Sequence, residues 1–165
     1  MEDSGRFGRA VTALDAANAE DPRREETPGG PVPAKPVPKE LLYSRRMTEA
    51  LARLAPDASE TLRLAARAQH VRRWEIPRGR YPEGREGYRA WREALYEFHA
   101  QTAGRILREA GYDGETVARV GDLLRKRGLK TDPEAQTIED AACLVFLEHE
   151  FAAFAPRHDR AKVLS

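Results

Sequence analysis

Residues 132–148 read DPEAQTIEDAACLVFLE, and this run marks the chain as helical. Asp132 is a side-chain acceptor placed before Pro133, a residue preset for the first helical turn. Glu134 follows, where the positive end of the helix dipole favours an acid. Beyond it, Ile138, Ala142, Val145 and Phe146 recur at helical spacing, and Asp140, Leu144, Leu147 and Phe151 recur on the other side. The helix therefore reads as apolar nearly all round and central, with Asp140 facing apolar neighbours. A carboxylate in such surroundings must be paired, protonated or metal-bound, because bare burial costs several kcal/mol. An internal Asp–Arg pair with Arg46, Arg67 or Arg73 is one resolution of that cost, and a metal is the other.

Working back along the chain, the same signals recur. Asp113 caps a helix from about Gly114 to Arg127, with Gly128 after its end. A long helix over about Tyr88 to Ala110 is closed by Gly111 and carries the stripe Tyr88, Trp91, Leu95, Phe98, Thr102 and Ile106. A helix capped by Asp57 or Ser59 runs through LRLAARAQHV and stops at Ile76-Pro77. Another starts near Glu40 with Leu42, Met47, Leu51 and Leu54 inward, and a first covers Arg6 to Asn18. Between Asp21 and Pro38 lie six of the eleven prolines, plus Gly29 and Gly30, which reads as a linker or loop (21–38) after the first helix. No segment alternates with period two for long enough to form a strand. The expected fold is all-α, a single-domain bundle of about six helices over residues 1–165.

A chain of 165 residues with 33% charged and 41% hydrophobic content can bury a core without disulfides. Its single cysteine, Cys143, suits a reducing compartment. The acidic N-terminal residues do not form a secretory signal, and no apolar run is long enough to span a bilayer. The expectation is a cytoplasmic protein without a membrane partner, and self-association is left open. Net charge is +1, yet 23 of the 28 basic residues are arginine. Broad coating of nucleic acid is disfavoured, whereas a local patch is not.

Three residues stand out for chemistry. His99 lies within the inward stripe of the long helix, His70 near the end of LRLAARAQHV, and Asp140 in the last helix. Two imidazoles and a carboxylate from three helices match the donor set for zinc, manganese or iron, with Glu139 or Glu148 as general base. From Arg67 to Arg92 there are eight arginines against three acids. Arg46, Arg72, Arg73 and Arg78 could clamp an anionic group by the guanidinium fork. Trp74, Tyr81, Tyr88 and Trp91 could stack on a ring. The expectation is a metal-assisted hydrolase acting on a phosphorylated or otherwise anionic small molecule or nucleotide. The alternative is a non-catalytic module binding a nucleotide, RNA or another anion.

Several stretches carry a family resemblance: Leu14-Asp15-Ala16-Ala17-Asn18 with Asp21-Pro22, LLYSRRM (41–47), LAARAQHVRRWEIPR (64–78), GYRAWR from Gly87, Phe98-His99-Ala100, and the opening run 132–148. The chain resembles an uncharacterised bacterial and fungal family known as a domain of unknown function, numbered 4202. Its members generally continue with a basic segment past the position of Ser165, so a further helix is expected there. More distantly the layout is similar to HD-domain metal-dependent phosphohydrolases. That likeness implies an all-helical HD-type fold, with His70 as the second ligand histidine and Asp140 as the closing aspartate. Val71 stands where the aspartate after the histidine belongs, and Arg45-Arg46 occupy the region of the first histidine. His99 would supply a replacement ligand.

Overall fold

The computed structural model describes residues 2–27 and 35–150. Helix α1 (Glu2–Asn18) is followed by a two-residue strand β1 (Arg24–Glu25), which pairs antiparallel with β2 (Val37–Pro38). The chain then forms α2 (Lys39–Leu54), α3 (Glu60–Arg67), two short 3-10 turns (Arg73–Glu75 and Arg78–Arg80), α4 (Arg85–Ala110), α5 (Gly114–Leu124) and α6 (Pro133–Val145). A π-helical turn, Phe146–Glu150, extends α6. The fold is all-α, and the ladder clips together the two ends of the proline-rich stretch, of which residues 28–34 lie outside the described part.

The helix starts are built from side-chain caps. Ser59 Oγ accepts the Leu62 N–H at 3.1 Å and Asp113 Oδ1 that of Thr116 at 2.8 Å. Asp132 Oδ1 accepts the Glu134 N–H at 3.0 Å. Gly111, at φ 104°, ends α4 in the left-handed region that a side chain would strain. Leu14, Met47, Leu51, Leu64, Leu107, Leu123 and Ile138 draw a core from all six helices, each fully buried. Such a side chain gains on the order of 1.5–3 kcal/mol by leaving water.

Three expectations change. On α6 the buried stripe is Ala135, Ile138, Ala141 and Val145, so small residues allow close packing against α2 and the helix is amphipathic. Asp140 is exposed and accepts from Gln136 Nε2 at 2.9 Å. Leu147 is exposed, and Phe151 lies outside the described residues. On α4 the inward face is Leu95, His99, Thr102, Ala103 and Leu107, while Tyr88 is 46% exposed; on α2, Leu54 is exposed.

The third change matters most for function. Helix α3 ends at Arg67, although the apolar pattern continues to Ile76. Continuation would need the Arg72 N–H for the Ala68 carbonyl and the Val71 carbonyl for the Glu75 N–H. Distant side chains take both: Asn18 Oδ1 accepts the Arg72 N–H at 3.0 Å, and His99 Nδ1 lies 2.9 Å from Val71 O. Arg72 adopts φ 55°, and the chain turns away.

Candidate functional site: a cationic cleft with two histidines

The break after α3 brings Gln69, His70 and Arg73 against α4 and the end of α5. With Arg92, Tyr96 and His99 of α4, and Lys126, they line a cleft of about 30 Å³. At roughly 10–15 Å³ per water, that is room for about two to three water-sized atoms.

Behind the cleft lies a buried carboxylate. Glu40, in the first turn of α2, is 1% exposed. Asp21 positions it by accepting the Glu40 N–H at 3.0 Å, and also holds Arg23 through its N–H and Nε. Burial would raise the Asp21 carboxyl, but these hydrogen bonds outweigh it and hold it low. Arg23 Nη2 reaches Glu40 Oε2 at 3.3 Å. Burial nevertheless pushes the Glu40 carboxyl above the usual range, against the pull of Arg73, Arg23 and Lys39.

His70 faces this carboxylate, with Nδ1 3.4 Å from Glu40 Oε1 and no hydrogen bond formed. Its ring stacks flat on Tyr43 at 3.7 Å and lies 6.1 Å from the His99 ring. The Val71 carbonyl can only accept, so His99 Nδ1 is the donor and Nε2 carries the lone pair. Burial, then His70 and Arg73, depresses the His99 pKa to about 3. Burial, followed by Arg73, Lys126 and Arg92, also pushes His70 well below its ordinary value. Both rings are neutral at pH 7.

The cations are short of counterions. Arg73 lies over the Trp91 ring at 5.0 Å and makes no ion pair among the described residues. Arg92 donates to the hydroxyls of Tyr88 and Tyr96, both at 2.8 Å, and to no carboxylate. Lys126 Nζ pairs with Glu139 Oε1 at 2.7 Å; burial, first of all, lowers its pKa, against the pull of Glu139. Buried polar atoms without a hydrogen bond also gather here: Gln69 Oε1 and His70 Nδ1, beside the Lys126–Glu139 ion pair. Arg72 and Lys126 are the non-glycine residues at positive φ among those described, at 55° and 63°. Each such conformation costs on the order of 1–3 kcal/mol, and it sits beside this cleft.

Of the residues expected from sequence, the fold brings together His70, His99, Arg73 and, through Lys126, Glu139. The rest are engaged elsewhere. Arg46 pairs with Glu25 at 2.9 Å and pins β1 to α2. Arg72 pairs with Glu20 and Glu75, with its guanidinium near Trp74. Arg78 donates to the carbonyls of Tyr81 and Pro82, closing the loop before α4. Glu148 pairs with Arg53 on the surface. Asp140 does not join the histidines, and neither Arg46, Arg67 nor Arg73 grips it; Arg67 pairs with Asp15 instead.

A divalent metal does not fit this donor set. Among the described residues no three His, Cys, Asp or Glu side chains are grouped to hold one. The imidazoles face Arg73, Arg92 and Lys126, which repel a cation. Sequence reasoning missed Glu40, Tyr43, Arg92 and Lys126. Glu40 left a trace, since it sits in phase with Tyr43 and Met47 on the buried face of α2.

The family described as Domain of unknown function (DUF4202) matches residues 8–165, nearly the whole sequence. The chain belongs to that family. No curated protein and no solved structure matches it. No helix among the described residues is long and apolar enough to cross a membrane.

Proposed function

We propose that this protein is a binding module for a small anionic molecule, whose phosphate or carboxylate group sits among Arg73, Arg92 and Lys126. The observation that carries this reading is the convergence of those three cations on one cleft, where among the described residues Lys126 alone is ion-paired, to Glu139. An anion would supply the missing charge, and the guanidinium forks suit its oxygens. The neutral histidines add polar ring atoms without the cost of buried charge. Metal-assisted hydrolysis, and with it the HD-domain likeness, draws no support from the donor set, because Asp140 faces solvent on α6.

Inorganic phosphate is the first probe. A ligand that binds only the folded state raises the melting temperature with concentration. Protection by millimolar phosphate is expected, with affinity falling at least tenfold in Arg73→Gln. If phosphate protects no better than chloride at equal ionic strength, the proposal fails.

A further inference from the structure

Beside the cleft, and sharing Arg92 and Tyr96 with it, lies a shallow recess of about 750 Å³ on the outer face of α4, lined also by Tyr88, by Arg85 and Arg89, and by the acids Glu86 and Glu93. Tyr88 is 46% exposed yet held by its neighbours. Its hydroxyl accepts from Arg92 Nη1 at 2.8 Å, and its ring tilts at 54° against Trp91, 5.8 Å away. Trp91 is itself fixed, donating through Nε1 to the Ile76 carbonyl at 2.8 Å. The open ring is therefore connected to the cleft twice. One connection runs through Trp91 to Arg73, and the other runs directly through Arg92. Arg85 and Arg89 flank it with no ion pair among the described residues.

A preset aromatic face beside an anion cleft suits one ligand chemistry. We infer that the ligand is a phosphomonoester carrying an aromatic ring, a nucleoside monophosphate being the simplest, with its phosphate in the cleft and its ring stacked on Tyr88. This rests on the anion reading above and adds the class of molecule. Inorganic phosphate would fill only the inner part of the site. A stacked base adds roughly a 5- to 150-fold gain in affinity, at 1–3 kcal/mol per stack.

Calorimetric titration of the full chain with inorganic phosphate, ribose 5-phosphate and adenosine monophosphate separates the two claims. Adenosine monophosphate should bind at least fivefold tighter than ribose 5-phosphate. That ratio should fall toward one in Tyr88→Leu and persist in Tyr88→Phe, which keeps the ring. Equal affinity for the two phosphomonoesters, with inorganic phosphate still bound, overturns the aromatic inference and leaves the cleft reading intact. A ratio unchanged in Tyr88→Leu also overturns it, by placing the ring elsewhere. If none of the three phosphates binds, the cleft reading falls first and this one with it.

Discussion

Arg119 and Arg73 present the same guanidinium in opposite circumstances. Arg119 meets Asp132 at 2.5 and 3.0 Å and Glu134 at 2.8 Å, while Ser59 Oγ reaches the other Glu134 oxygen at 2.6 Å. That cluster joins the starts of α3 and α6 to α5 and satisfies its carboxylates within the protein. Arg73 meets no carboxylate at hydrogen-bonding distance and shares its cleft with two further cations. The Asp21–Arg23–Glu40 junction stands between them, saturated on the Asp21 side and open where Glu40 faces His70. Satisfied ion pairs in this fold mark where helices are joined, and unsatisfied ones mark where something outside the chain is expected.

The largest effect should come from the saturated side. Asp21→Ala removes the acceptor of the Glu40 N–H and the partner of Arg23, and should cost about 3 kcal/mol in urea denaturation, as breaking buried pairs does. A loss below about 1 kcal/mol would show that this junction is ornamental and would break the contrast.

Acid should expose the strain of the open side. The folded His99 pKa lies near 3, below the ordinary 6.5, so above pH 6.5 the ring is neutral whether folded or not. Between pH 6.5 and 3 the unfolded chain takes up a proton that the folded ring refuses. Stability should therefore fall with falling pH, by about 2 kcal/mol from His99 at pH 5, at 1.36 kcal/mol per unit. His70 acts in the same direction. His99→Gln should flatten the slope, and an equally steep profile in that variant would refute the assignment.

Next comes the direct test of the two arginines. Arg73→Gln should weaken phosphate binding tenfold or more, about 1.4 kcal/mol, with a smaller loss in melting temperature than Arg119→Gln. Arg119→Gln should cost about 1 kcal/mol, since the pair is partly exposed and screened, and should leave phosphate affinity alone. An exchange of these phenotypes would invert the comparison. Asp140→Asn should alter neither stability nor binding beyond error.

Much of the scaffold was legible because its signals are local. Asp113, Asp132-Pro133 and Gly111 each name a helix end within a few residues of the bonds they make. The end of α3 was not, because Asn18 and His99, 54 and 28 residues away in sequence from their partners, take the backbone groups that would have continued it. The site was half legible for a related reason. His99 on an inward stripe and the excess of arginine pointed to it. Yet which guanidiniums would be neutralised depended on acids such as Glu20, Glu25 and Asp15, brought near only by folding. Asp140 misleads because Leu144 and Leu147 make its side of α6 read as apolar, although Leu147 and Asp140 itself are exposed. The buried stripe alternates alanines with Ile138 and Val145, where helices approach closely, and Glu40 is the acid that folding buries.

The protein has two tryptophans, and Trp91 is wedged between the Arg73 guanidinium and the Tyr88 ring. Its indole thus touches one residue that lines the cleft, Arg73, and one that lines the outer recess, Tyr88. Any molecule seated in either place alters the charge and polarity around that indole, so intrinsic fluorescence should gauge occupancy without a dye or label. Replacing Trp74 with phenylalanine would leave a single emitter, making the native chain its own sensor for screening compounds.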